Sequence, residues 1–143
     1  MVALAEKTVA VCLLDDDPSI LKATRRLLDS AGWSVEAFTD PVEFLEHAAM
    51  HCPDLAVIDI FMPEMNGIET ALRLKQSGSK IKMIFLTIHE DPDFLDAALS
   101  AGAQGYVLKP YLATDLVPAV RNVLAGHTYV SPAMHASPGM HVQ

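Results

Sequence analysis

Asp15, Asp16, Asp59, Thr87 and Lys109 are the residues of this chain whose types and spacing could do chemistry together. Each stands where an apolar run ends. Thr8-Val-Ala-Val-Cys-Leu-Leu14 runs into Asp15-Asp16-Asp17, and Leu55-Ala-Val-Ile58 runs into Asp59. Lys82-Met-Ile-Phe-Leu86 runs into Thr87, and Gly105-Tyr-Val-Leu108 into Lys109. Carboxylates brought about 5 Å apart repel by roughly 3 kcal/mol per pair at an effective dielectric near 20. Such a cluster is tolerable at neutral pH only with cations. Lys109 supplies one charge, and a hard divalent ion with oxygen ligands supplies the rest. Mg²⁺ fits best, because it takes one or two carboxylates together with waters and a phosphate oxygen. An ammonium and a hydroxyl are also what a bound phosphoryl group recruits. The set reads as Mg²⁺-assisted phosphoryl chemistry with Asp59 as candidate nucleophile.

The elements that must position these residues follow from the same runs. An apolar run without alternation, bounded by turn residues, is a strand buried on both faces. Strands of that kind form parallel sheets covered by helices, with ligands outside their carboxyl ends. Trp33-Ser-Val-Glu-Ala-Phe38 alternates more, as an edge strand does. Between the strands, Asp17-Pro18, Asp40-Pro41 and Asp91-Pro92 each pair an N-cap acid with a first-turn proline, and Asn66-Gly67 opens a further helix. Glu43 completes a capping box with Asp40. Pro63 and Gly67 shape the turn after Asp59. A last helix is expected from about Thr114 to Leu124, with Pro118 tolerated near its first turn. The expected fold is α/β: five parallel strands alternating with five helices in one doubly wound sheet. One shared edge then gathers Asp15, Asp16, Asp59, Thr87 and Lys109.

Composition narrows the function classes. The 143 residues, 51% of them hydrophobic, suit one domain with a full core. A net charge of -8 without a Lys/Arg cluster argues against nucleic-acid binding by this chain. Cys12 and Cys52 read as buried free thiols of a reducing compartment. Neither a signal peptide nor a membrane-spanning run is evident, which points to a cytoplasmic protein. Residues 126–143 are rich in Pro, Ser, Gly and His and read as a linker-like or disordered tail after a domain of residues 1–125.

The constellation resembles the receiver domain of bacterial two-component response regulators. It rests on Leu14-Asp15-Asp16, on Asp59 with Met62-Pro63 and Gly67, on Thr87, and on Tyr106 with Lys109-Pro110, across residues from about 8 to 125. Thr87-Ile-His-Glu-Asp91 and Ala101-Gly-Ala-Gln-Gly-Tyr106 are similar to receivers that precede a helix-turn-helix output domain. The resemblance implies a flavodoxin-like sheet of order 2-1-3-4-5 and a phosphoryl group moving from a histidine kinase or phosphotransfer protein to Asp59. Asp16 would ligate Mg²⁺ directly and Asp15 through water, with Asp59 and the Phe61 backbone carbonyl completing the protein ligands. Lys109 would pair with phosphoryl oxygens, and its bond to Pro110 is expected to be cis. Thr87 and Tyr106 would turn inward as a switch, reshaping the face of helix four, strand five and helix five for an output partner or a homodimer. Bulky Phe61 and Ile88 are expected to shield an acyl phosphate and lengthen its life.

Other readings carry less of the pattern. A fragment of a DNA-binding regulator would have the same receiver residues. A haloacid-dehalogenase-type phosphatase would use Asp15-x-Asp17, but Pro18 marks Asp17 as a cap and Asp59 would stand idle. A receiver-like binding module that is never phosphorylated would not need the complete acidic set. Taken singly, Thr87 is a structural hydroxyl, Tyr106 core packing and Lys109 a solvated charge. His47, His51 and Cys52 read as a half-buried helix end rather than a metal site, and Glu64 and Glu90 as solvated acids.

Overall fold

A computed structural model describes residues 8–62 and 66–136. Six strands form one sheet in the order β2-β1-β3-β4-β5-β6, every neighbouring pair parallel. They are β1 (Ala10–Leu14), β2 (Ser34–Phe38), β3 (Leu55–Asp59), β4 (Lys82–Thr87), β5 (Gly105–Leu108) and β6 (Tyr129–Val130). The helices are α1 (Pro18–Ser30), α2 (Pro41–His51), α3 (Gly67–Gln76), α4 (Pro92–Ser100), α5 (Leu112–Leu124) and α6 (Pro132–Ala136).

Strand periodicity explains why the central runs show no alternation. Cys12, Leu14, Ala56, Ile58, Phe85, Tyr106 and Leu108 point into one core, packed with Phe44 and Ala48 of α2, Ala71 and Leu74 of α3 and Leu95 and Ala98 of α4. Val11, Leu13, Val57, Ile84, Leu86 and Val107 point into the other, packed with Leu28 of α1 and with Leu116, Ala119, Val120 and Val123 of α5. Both faces are covered, so both side-chain sets must be apolar. Each fully buried Leu or Ile contributes roughly 1.5–3 kcal/mol of transfer free energy. β2 lies at the sheet margin and alternates in burial, as its sequence indicates.

The helix starts follow the cap chemistry. Asp17, Asp40 and Asp91 accept from the backbone N–H groups of Ser19, Val42 and Asp93 at 2.9, 3.2 and 2.9 Å, and Asn66 accepts from Glu69 at 2.8 Å. Each side chain satisfies a donor that a first helical turn leaves unpaired.

Three expectations require correction. Five strands and five helices become six and six, because Tyr129–Val130 pairs with Gly105–Tyr106 and Pro132–Ala136 forms a short helix. The tail reading of 126–143 fails over 129–136, where Ser131 and Met134 are completely buried; residues 137–143 lie outside the described residues. Low hydrophobic periodicity hid this segment, since two strand residues and one buried methionine are too few to leave a pattern. α5 begins at Leu112 rather than near Thr114, which places Pro118 inside the helix. Pro118 is exposed there, so its ring meets solvent rather than a packed neighbour, at the loss of one helical hydrogen bond.

Candidate phosphoacceptor site

The carboxyl ends of β1, β3, β4 and β5 meet at one rim. Asp15 follows β1, Asp59 closes β3, Thr87 closes β4 and Lys109 follows β5. Backbone bonds fix these ends: Asp15 N–H donates to the Phe38 carbonyl at 3.1 Å and Ile60 N–H to the Leu86 carbonyl at 3.2 Å. Gly67 opens α3 hard against this rim, and its N–H donates to the Ile60 carbonyl at 2.6 Å. A Cβ there would collide with the Asp59 carbonyl and come within 2.9 Å of the Ile58 side chain. The glycine therefore lets the helix start approach the Asp59 backbone.

Carboxylate oxygens of Asp15, Asp16 and Asp59 lie within 4.8 Å of one another. Asp15 and Asp59 are buried, and Asp16 faces solvent. The Lys109 ammonium sits between the buried pair, 3.0 Å from Asp15 and 3.2 Å from Asp59. Asp15 Oδ1 accepts from the Asp17 N–H at 2.9 Å, and Asp59 Oδ1 from the Phe61 N–H at 3.4 Å. Asp15 Oδ2 is sealed from bulk water and faces the Lys109 ammonium. One ammonium faces three carboxyl groups, so the rim carries an excess of negative charge and spare oxygen lone pairs. Those are the donors a hard divalent cation takes.

The titration of Asp59 reflects this imbalance. Burial first, and then the neighbouring Asp15, push its carboxyl up to about 6, against the pull of Lys109 and the Phe61 N–H. Burial by itself would lower the Lys109 ammonium, but hydrogen bonding and charge from Asp15 and Asp59 outweigh it and raise the group. Lys109 is therefore a fixed cation at neutral pH.

Thr87 Oγ1 accepts from the His89 N–H at 3.1 Å. Tyr106 is completely buried, and its hydroxyl donates to the His89 carbonyl at 3.0 Å. Burial raises the Tyr106 phenol to about 12, with the Thr87 hydroxyl opposing, so it stays protonated. The Lys109–Pro110 bond is trans, a correction to the expected cis form. Pro110 sits in a single 3₁₀ turn over Lys109–Tyr111 that leads directly into α5, and trans is the ordinary X–Pro preference.

Around the mouth, Phe61 packs against His89 with the rings tilted and their centroids 4.4 Å apart, and meets Phe94 of α4 edge-on at 5.2 Å. His89 and Phe94 are 4.8 Å apart, so three rings bridge the loop after Asp59 to α4. Sequence reading singled out Phe61 but neither His89 nor Phe94; an aromatic two residues past Thr87 and another on the helix it precedes were the available signal. Ile88 leaves 65% of its surface exposed and Phe61 44%. Asp17 is committed to capping α1, which removes the second acid of the Asp15-x-Asp17 alternative. Pro63 and Glu64 lie outside the described residues. His47 and His51 do approach each other, with ring centroids 4.4 Å apart, and His47 packs beside Phe38. A groove of about 820 Å³ opens at the opposite end of the sheet, beside Val9, Asp54 and Lys82, away from this chemistry.

Comparison with known proteins agrees with the geometry. The response regulator receiver domain family matches residues 11–121. The chain belongs to that family. It is 34% identical over 114 residues to the response regulator MprA of Mycobacterium leprae, covering 80% of this chain and 50% of that protein. It is 32% identical over 121 residues to the response regulator protein TodT of Pseudomonas putida, covering 85% of this chain and 53% of that one. The chain thus spans about half the length of the curated relatives it matches. Among solved structures, a LuxR-family two-component response regulator from Aurantimonas sp. SI85-9A1 aligns with a TM-score of 0.85 and 31% identity, over 91% of this chain and 94% of that one. The receiver is a signalling domain with an acidic pocket able to hold a metal ion. No helix among the described residues is long and apolar enough to cross a membrane.

Proposed function

We propose that Asp59 is the phosphoacceptor of this receiver and that a histidine kinase or phosphotransfer protein supplies the phosphoryl group in a Mg²⁺-dependent reaction. The observation that carries the reading is the burial of Asp59 beside Asp15 and Asp16 with one half-buried ammonium at 3.2 Å. An Asp59 carboxylate oxygen bonds to phosphorus while the bond from phosphorus to the donor's imidazole nitrogen breaks. The imidazole leaves and takes a proton, and Asp59 becomes an acyl phosphate. Lys109 pairs with the incoming phosphoryl oxygens, and the Thr87 hydroxyl turns from the His89 N–H to donate to them. Asp15, Asp16, Asp59 and the Phe61 carbonyl would hold Mg²⁺, which when bound neutralises charge on the phosphoryl group. The fit rests on the three clustered carboxylates, whose charge a single ammonium only partly offsets.

Tyr106 completes the switch by holding the β4–α4 loop through His89, and the surface of α4, β5 and α5 reports the change to a partner. The half-length match to MprA and TodT and the likeness to a LuxR-family regulator favour an output domain, on the same chain or on another, as the target. Self-association of the phosphorylated form is a further route to output. No turnover of an external substrate is expected, because the phosphoryl group stays on the protein until water removes it.

Intact mass tests the reading. After incubation with Mg²⁺ and a small acyl phosphate or a phosphorylated histidine kinase, the chain gains one phosphoryl mass, and Asp59→Ala does not. A folded chain that binds Mg²⁺ but gains no adduct from any donor reduces the domain to a binding module. Followed in time, the same adduct decays faster in Phe61→Ala and Ile88→Ala if those side chains shield it from water. Decay at the wild-type rate assigns the lifetime elsewhere.

A further inference from the structure

The segment after α5 carries buried polar groups that the phosphoacceptor site does not use. Ser131 is completely buried, and Asp115 of α5 is 8% exposed. The Ser131 hydroxyl donates to Asp115 Oδ2 at 2.7 Å and accepts from the Leu108 N–H at 3.0 Å. Asp115 Oδ1 accepts from the Thr114 hydroxyl at 3.1 Å, so both carboxylate oxygens are engaged. The backbone adds two bonds: Ser131 N–H donates to the Tyr106 carbonyl at 2.9 Å, and Tyr129 N–H to the Gln104 carbonyl at 3.0 Å. Met134 packs in the same core as Tyr106 and Leu108. β6 and α6 are thereby strapped to β5 at the switch tyrosine and at the residue that immediately precedes Lys109.

We propose that Ser131 is a positioning residue for phosphoryl binding: through Tyr106 and Leu108 it holds β5, and with it Lys109, in the arrangement that accepts a phosphorylated Asp59, and it ties the strap to the state of the site. The inference rests on Asp59 being the phosphoacceptor. Three features carry it. Ser131 makes one bond as donor and one as acceptor, so its hydroxyl has a single orientation and transmits displacement rather than absorbing it. Its loss would leave the Leu108 N–H and an Asp115 oxygen buried without their partner. The docked strap coexists with an inward Tyr106 whose hydroxyl rests on the His89 carbonyl, so docking and the inward switch belong to one state. Coupling of this kind is reciprocal: whatever a phosphoryl mimic does to the strap, the strap does to the mimic's affinity.

The test uses the whole chain with Mg²⁺, with and without beryllofluoride as the phosphoryl mimic. In the wild type, beryllofluoride slows hydrogen exchange at the Tyr129 and Ser131 amides by about tenfold. In Ser131→Ala, beryllofluoride affinity falls by about tenfold while Mg²⁺ affinity in its absence is unchanged. Unchanged exchange at both amides in a wild-type chain that binds beryllofluoride overturns the inference, whether or not the variant folds. Wild-type beryllofluoride affinity in Ser131→Ala overturns it as well, and so does an equal loss of Mg²⁺ affinity, which would mark a general structural role. A wild-type chain that binds no beryllofluoride at Asp59 removes the phosphoacceptor reading itself, and this inference with it; that failure is distinct from the others.

Discussion

At Asp59, the proposed role and stability pull in opposite directions. Its carboxyl is pushed up to about 6, chiefly by burial and then by Asp15, whereas an exposed aspartate titrates near 4. The folded chain therefore binds that proton more tightly than the unfolded chain does. The stabilising contribution is fully present below pH 4 and is lost as pH rises through 6. That displacement corresponds to roughly 3 kcal/mol. Asp59→Asn should accordingly stabilise the metal-free protein by about 1–3 kcal/mol at pH 8, with the gain vanishing toward pH 4. Denaturant melts across that range check it, and a gain independent of pH would assign the effect to something other than the charge. Mg²⁺ should narrow the gap, because a bound cation relieves the repulsion that the amide removes. The need for a cation was legible from residue types alone, while the depth of burial that makes Asp59 costly was not.

Among the elements, α5 carries the residue least suited to its interior. Pro118 lies in mid-helix, so the helix lacks one backbone donor, and an exposed interior proline costs about 3 kcal/mol relative to alanine. Part of that cost is offset because proline also restricts the unfolded chain. Pro118→Ala is expected to raise stability by about 1–2 kcal/mol in urea melts. No gain would mean that the helix already bends to accommodate the ring. The residues Leu112, Leu116, Ala119, Val120 and Val123 are buried against the sheet, and this packing is what lets α5 run through the proline. Cap residues marked the starts of α1 to α4 because a cap bond is local. β6 left no such mark, since Tyr129 and Val130 become a strand only by finding the open edge of β5.

For the whole molecule, the doubly covered sheet makes β1 inaccessible without extensive unfolding. Cys12 is 1% exposed, and burial, with Glu36 adding, pushes its thiol up to about 12. Cys52 corrects the expectation of two buried thiols: it caps the end of α2 and is exposed there. One equivalent of a thiol reagent should react quickly with the native chain and the second only on denaturation. Rapid labelling of both cysteines would show that β1 opens locally, contrary to its place in the middle of both cores. The second thiol's labelling rate under native conditions then reports global stability, because the opening that exposes Cys12 dismantles the sheet.

The sequence by itself determined strands β1 to β5, the burial of β1, β3, β4 and β5 on both faces, the capped starts of α1 to α4 and the candidate site residues. Those properties depend on short spacings: an apolar run, an acid before a proline, a carboxylate where a run ends. The tertiary structure decided what depends on distance through space. It set Lys109 between Asp15 and Asp59, joined Phe61 to His89 and Phe94, kept the Lys109–Pro110 bond trans and docked Ser131 onto β5. Ser131 and Leu108 are 23 residues apart in the chain, and the bond between them exists because parallel pairing brings the edges of β5 and β6 together.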